Sequence, residues 1–235
     1  MITVSVVSHG QGEMASRLVK RLLGFSDVSR IVMTCNIPET LHICDDARVV
    51  RINNPSPKGF GANHNAAFRH CATDFFCVLN PDIELPRNPF PLLTIVMQSY
   101  PADIAAPVVF APAGTVEDSV RHFPTIGSLF LKAMGGPDGR YIITPGQPPL
   151  EPDWVAGMFI LFHAKAYKQL QGFDESYFLY YEDVDIGRRA HRLGLKIVCC
   201  PEVSVIHHAQ RASRLSIRHM RWHLASMIRY LGKLA

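Results

Sequence analysis

Residues 75–79 read "FFCVL", five apolar side chains in a row. A strand with one solvated face alternates polar and apolar residues, so an unbroken run this short fits a strand covered on both faces. Covering both faces of a sheet requires helices on each side, and the flanking sequence supplies them. Strand-like runs at Thr3–Ser8, Arg30–Thr34 and Arg48–Ile52 are interspersed with helical stretches at Met14–Leu23 and Ala62–His70. The pattern predicts an α/β fold with an open, mostly parallel sheet whose ligands bind beyond the carboxyl ends of the strands.

The second half is less regular. From Pro124 to Pro152 glycine and proline are dense, and the stretch reads as a long mobile loop with a short helix at Leu129–Met134. Order is expected to resume at Asp153-Trp154, followed by an apolar strand, a helix over Glu182–Leu193 and two strands, Lys196–Cys200 and Val203–Ile206.

With 235 residues, 48% of them hydrophobic and 19% charged, the chain suits one large globular domain. A net charge of +4 is too weak and dispersed to point to nucleic acid. The six cysteines show no CxxC or metal-finger spacing, and several sit in apolar runs, as reduced, buried thiols would. The amino terminus lacks a basic leader region, and no apolar run approaches the roughly 20 residues that span a bilayer. A cytoplasmic protein, dissolved or resting on a membrane surface, is the expectation.

Polar or glycine-rich turns follow three strands: Ser8-His9-Gly10, then "NNPSPKGFGANHNAAF", then Asn80-Pro81-Asp82. Gly59 and Gly61 permit a tight turn or close approach to a ligand, and Asn63 could cap the helix or face that ligand. The loop lacks both the third glycine of a dinucleotide fingerprint and the Gly-Lys-Ser/Thr of a phosphate loop. Asp82, just past a buried strand, suits a divalent cation bridging a nucleotide diphosphate, or simply a proline-containing turn. His207-His208 closes a strand, where one imidazole could join the same metal. Trp154 and Gly157 precede an apolar strand and suit either core packing or substrate contact.

The strangest stretch is "YYEDVDIGRR", which places Glu182, Asp183 and Asp185 within four positions. A helix dipole favours acids in a first turn by a few tenths to about 1 kcal/mol each. That accounts for acids there, but not for the tyrosine pair before them or the Gly172-Phe173-Asp174-Glu175 turn upstream. A carboxylate held at the mouth of a sheet can instead serve as a general base for a substrate hydroxyl.

Taken in order, "VSVVSHG", "NNPSPKGFGANHNAAF", "CVLNPDIEL", "DWVAGMFILF" and "GFDESYFLYYEDVDIGRRAHRLGLKIVCCPEVSVIHHAQRAS" resemble the family-2-type inverting glycosyltransferases of the GT-A fold, in particular their rhamnosyltransferase-like branch. The likeness spans residues 1–213 apart from 111–152. It implies a Rossmann-like, mostly parallel sheet flanked by helices, forming one domain over 1–210. Residues 1–110 would be its nucleotide-binding half and 111–210 its acceptor side.

It also implies roles: Ser8, Gly59, Gly61, Asn63, Asn80, Asp82, Trp154 and Gly157 at the nucleotide-sugar, and Mg²⁺ or Mn²⁺ on Asp82 and His207, with His207 preferred to His208. Asp183 would be the base, with Glu182 as the alternate, while Asp185 and Arg188 brace the site. The first acid of the family's Asp-x-Asp motif is here Asn80, one negative charge fewer. The implied reaction moves a sugar, with dTDP-rhamnose the first choice of donor, to a hydroxyl of a bacterial cell-surface glycan or lipid-linked acceptor. Two rival readings are a nucleotidyltransferase, which would need an early basic phosphate grip where only Lys58 stands, and a non-catalytic sugar-nucleotide or glycan-binding module, which would need no base.

After Glu202 no acid remains, and residues 211–235 read as a basic amphipathic helix. Ile217, Met220, Leu224, Met227, Leu231 and Leu234 recur at helical spacing beside Arg211, Arg214, Arg218, Arg221 and Arg229. The apolar face is expected to pack on the domain, with peripheral docking on an anionic membrane as the functional alternative.

Overall fold

In a computed structural model, which describes residues 1–144, 146–209 and 216–234, the FFCVL run lies at the centre of an eight-stranded sheet. The first half of the chain contains β1 (Ile2–Ser8), α1 (Gly12–Leu23), β2 (Val28–Cys35), β3 (Val49–Asn53), α2 (Phe60–Phe68) and β4 (Phe75–Leu79). Next come β5 (Ile83–Glu84), α3 (Phe90–Ser99) and β6 (Ile104–Phe110). The remainder comprises β7 (Val120–Arg121), α4 (Ile126–Ala133), β8 (Trp154–Val155), β9 (Phe159–His163), α5 (Ala164–Gln169), α6 (Glu182–Arg192), β10 (Ile197–His207) and α7 (Ile217–Gly232).

The strand order is β3-β2-β1-β4-β9-β6-β10-β5. Neighbours pair in parallel except where β9 meets β4 and β6 and where β5 meets β10. The mostly parallel sheet is therefore as expected, with one antiparallel strand set into its middle. One face is covered by α1 and α3, where Leu18, Leu22, Phe90 and Leu93 meet Val4, Leu79 and Val205. On the other face Tyr167, Phe173 and Ile186 close over Phe76, Val78 and Phe162. At roughly 25 cal/mol per Å², these two buried layers dominate the folding energy.

Two expectations need correction. The paired strands Lys196–Cys200 and Val203–Ile206 are a single β10, whose register against β6 slips between Cys200 and Ser204. Pro201 lies within that slip and lacks a ladder donor, so a bulge there costs less than a broken strand. Nor is 124–152 an untethered loop. Thr125 and Ser128 form a reciprocal cap, starting α4 at Ile126. Further along, Leu150 exchanges both backbone hydrogen bonds with Cys199, and Tyr141 and Ile143 pack on Val108 and Val120.

All six cysteines are free, and four of them are buried. Among the described residues no helix is long and apolar enough to cross a membrane.

The tail helix α7 is present, and its apolar residues divide: Met227, Leu231 and Leu234 pack on the cluster of Trp154, Tyr177 and Tyr181 as expected, whereas Ile217, Met220 and Leu224 are exposed. Beside these the helix seats an aromatic and polar side: Trp222 lies 4.7 Å from Phe178, Tyr230 5.5 Å from Tyr181, and Ser226 Oγ donates to the Leu179 carbonyl at 2.9 Å. At its end Lys233 donates at 2.6 Å to both Asp174 and Asp185. Aromatic rings and polar tips can cover a docking surface as well as aliphatic ones when each tip finds a partner. Arg211 and Arg214 of the expected basic stripe lie outside the described residues.

Against β8, α6 packs so closely that a Cβ on Gly187 would stand 2.7 Å from the Trp154 Cβ. Gly187→Ala should therefore destabilise the fold by about 1–3 kcal/mol through overpacking, read as a lower urea midpoint with an unchanged slope.

Candidate active site

Six strands run in one direction, so their carboxyl ends share one edge of the sheet, and the antiparallel β9 brings its amino end to the same edge. Ser8, Asn36, Asn54, Asn80, Gly157 and His207 all gather there for that reason.

On the β1–β3 side the polar groups form a closed network. Asn54 donates to Asn36 at 2.8 Å and to Asn63 at 2.6 Å, while Asn36 exchanges bonds with the Lys58 backbone at 2.8 and 2.9 Å. Asn63 also donates to the Gly59 carbonyl at 3.1 Å, so its buried amide shapes the loop from inside. Ser8 donates to Glu39 at 2.8 Å. A Cβ on Gly59 would meet the Phe178 backbone at 2.8 Å, and one on Gly61 the Phe173 Cβ at 2.6 Å. These two glycines let the loop seat against residues 173–178. Asn36, Asn54 and Glu39 were not singled out from sequence; their only signal is a polar residue just past a strand.

Asp82, in the turn between β4 and β5, is 7% exposed, with Oδ2 3.3 Å from His207 Nε2. The proximity follows from the pairing of β10 with β5, which sets His207 opposite Ile83. The other His207 nitrogen lies 2.7 Å from Glu117, a residue that sequence reasoning missed because nothing in "TVEDS" marks it. Burial opposes a charge on His207, but bonds to Asp82 and Glu117 outweigh it and raise the imidazole above its ordinary value. Asp82 Oδ1 is buried and meets no hydrogen-bond donor. Such an oxygen next to an imidazole nitrogen suits a divalent cation, so the residues fit one. Among the described residues no group of three or more His, Cys, Asp or Glu side chains is placed to hold a metal, which leaves further positions to a ligand such as a diphosphate. His208 turns away to Glu84 at 2.7 Å.

The acidic knot opens α6. Tyr180 and Tyr181 both have positive φ, 70° and 66°, a conformation that bulky residues rarely adopt. It drives the next two carboxylates into different surroundings. Glu182 is 4% exposed and its Oε2 has no partner; burial, then the neighbouring Asp183, pushes its pKa well above the ordinary range. Asp183 is half-buried; burial raises it too, but the Gly157 amide at 3.1 Å and the Val184 amide at 2.9 Å pull the other way. Both carboxyls are thus raised by burial, and Asp183 is the one that accepts amide hydrogen bonds favouring its charged form. Asp185 is engaged elsewhere, accepting from Arg189 at 2.7 Å and from Lys233. Arg188 reaches the Tyr230 hydroxyl at 3.3 Å, bracing α6 against α7.

Residues 154–158 join the two centres. Asn80 donates its amide to the Met158 carbonyl at 2.9 Å, Gly157 donates to Asp183, and Ala156 donates at 2.8 Å to Ser119, two residues from Glu117. Trp154 is core, with its indole donating to the His122 carbonyl at 3.0 Å.

The model of a family described as "Glycosyl transferase family 2" matches residues 30–159, and that of "Glycosyltransferase like family 2" matches 152–225. Among curated proteins the chain is 28% identical to "Rhamnosyltransferase WbbL" of Escherichia coli (strain K12), covering 99% of this chain and 93% of that one. It is 31% identical to "N-acetylglucosaminyl-diphospho-decaprenol L-rhamnosyltransferase" of Mycobacterium tuberculosis, covering 68% of this chain and 55% of that one. Of solved structures, GalNAc-T7 with UDP, GalNAc and Mn²⁺ matches with a TM-score of 0.68 at 13% identity, over 89% of this chain and 43% of that chain. The mannosyltransferase PcManGT from Pyrobaculum calidifontis, in complex with GDP-Man and Mn²⁺, matches at 0.62 and 13%, over 97% and 64%. These likenesses establish the GT-A fold.

The buried Glu182 gives a test. A carboxyl whose pKa is raised on folding contributes stability below its unfolded value, 4.5, and loses it as pH rises through the folded value. Glu182→Gln removes this titration. The variant's melting temperature should therefore fall less steeply than the wild type's as pH rises above 4.5.

Proposed function

The chain belongs to glycosyltransferase family 2, and from that premise we propose that it transfers a sugar with inversion from a nucleotide-sugar to an acceptor hydroxyl, with Asp183 as the base. The observation that carries the reading is the unequal carboxylate pair: Glu182 enclosed and raised, Asp183 half-buried and tied to the Gly157 amide.

Asp183 takes the proton of the acceptor hydroxyl as that oxygen forms a bond to the anomeric carbon. The bond from that carbon to the nucleoside diphosphate breaks on the opposite side, and the single displacement inverts the centre. Asp82 and His207 would hold the divalent cation, Mg²⁺ or Mn²⁺, which when bound supplies positive charge to the leaving diphosphate. Glu117 accepts the Nδ1 proton of His207, so that the Nε2 lone pair faces the Asp82 side. The 54–63 loop and Ser8 form the wall beside which nucleoside would lie.

Likeness to two rhamnosyltransferases favours dTDP-rhamnose as donor. The acceptor class follows in the same way: a cell-surface glycan or lipid-linked saccharide, the M. tuberculosis relative being named for a diphospho-decaprenol substrate. A place on the cytoplasmic face of a membrane agrees with such an acceptor.

Asp183→Asn keeps size and hydrogen bonding but cannot take the proton, so transfer should fall by roughly 10²–10⁴ while donor affinity survives. Isothermal titration with the nucleotide-sugar, beside the transfer rate, separates the two; near-normal transfer would move the base elsewhere. Glu117→Gln should weaken Mn²⁺ binding about 10–100-fold, read by the electron paramagnetic resonance of free Mn²⁺ in the presence of the nucleoside diphosphate.

A further inference from the structure

We infer that the exposed aliphatic side of α7 is an interfacial face that docks on an anionic lipid surface. Ile217, Met220, Leu224 and Ile228 recur along one side of α7, and each is between 51% and 71% exposed. The opposite side of the same helix holds Ser226 and Tyr230, both buried. Met227, Leu231 and Leu234 pack on the domain, but a helix that keeps four further aliphatic side chains in solvent along one side has left that area for something else to cover.

The short helix α4 repeats the arrangement, with Ile126, Phe130 and Met134 all exposed.

The charge around this face selects its partner. No acid occurs between Asp118 and Asp138, nor anywhere after Glu202. Exposed cations do: Lys132 on α4, and Arg218, Arg221 and Arg229 on α7. Lys233 is occupied by Asp174 and Asp185, so the exposed arginines are the ones available to solvent anions. Aliphatic side chains flanked by arginines match the acyl boundary and phosphate level of an anionic bilayer. A second copy of the chain would bring the same cations against themselves and repel. The inner side of α7 touches Tyr180 and Tyr181, immediately before the carboxylate pair, so a surface-bound molecule holds its acidic knot close to the lipid.

The test is sedimentation of the full chain with vesicles of phosphatidylcholine containing phosphatidylglycerol, at low and high salt, without donor or acceptor. Wild type should pellet with these vesicles, bind neutral phosphatidylcholine far less, and release as salt rises. Arg221→Gln should weaken binding about fivefold. Leu224→Gln with Ile228→Gln should weaken it more, with an unchanged melting temperature because both side chains are exposed. Indifference of wild type to anionic vesicles at low salt, or binding that survives these substitutions, would overturn the inference. So would a dimer in sedimentation velocity that Leu224→Gln with Ile228→Gln dissolves, since a second copy would then cover the face. Transfer to a soluble acceptor is read separately, so failure here leaves the proposed reaction standing.

Discussion

The hydrogen bond from the Gly157 amide to Asp183 fixes the position of one reactive centre relative to the other. It works only because the chain around it is stripped of bulk. A Cβ on Gly157 would lie 2.9 Å from the Phe60 ring, and Gly187 lets α6 close on Trp154. Two adjacent residues of the 154–158 segment can then bond Asn80, through the Met158 carbonyl, and Asp183, through the Gly157 amide. A shift in that segment would be felt at Asp82 and Asp183 together.

The electrostatics at α6 cost stability and yield selectivity. An enclosed Glu182 with an unpartnered oxygen is an expense that a purely structural helix start would avoid, as are two left-handed tyrosines. The same enclosure raises the proton affinity of both neighbouring carboxyls. Downstream, Asp185 is neutralised by Arg189 and Lys233, which prevents the third acid from raising the other two further. Asp174, although burial lifts it, is held down at about 2 by Lys233 and Ser176. The tail helix thus closes the ion network around the knot with a single lysine.

Much of this architecture is legible in the residues themselves. FFCVL announces a doubly covered strand, and the helix of the acidic knot ends within a residue of its expected limit, because short-range periodicity carries both. Asp82 and His207 are recognisable as strand-end polar residues, and they do meet. Glu117 is not, because its partner lies 90 positions away and only the folded sheet joins them. Asn36 and Asn54 are equally silent, since an asparagine after a strand is ordinary turn chemistry until its partners are known. The orientation of α7 is only half legible, for a different reason. Periodicity identifies two faces of a helix but not which one the domain accepts, and here Phe178, Tyr180 and Tyr181 provide aromatic partners for the less aliphatic side.

The placement of β9 between β4 and β6 bears on how the chain is made. During translation β1 to β4 emerge from the ribosome early, yet the edge of β4 stays unpaired until residue 163 has left the exit tunnel. β6 is in the same position on the other side of the gap. A nascent chain halted anywhere between residues 110 and 159 therefore carries one open edge on β4 and both edges of β6, because neither β9 nor β10 has yet been synthesised. Closing the sheet is a late event that inserts one strand between two waiting ones, and its pace sets how long the growing chain needs shielding from its neighbours on the polysome.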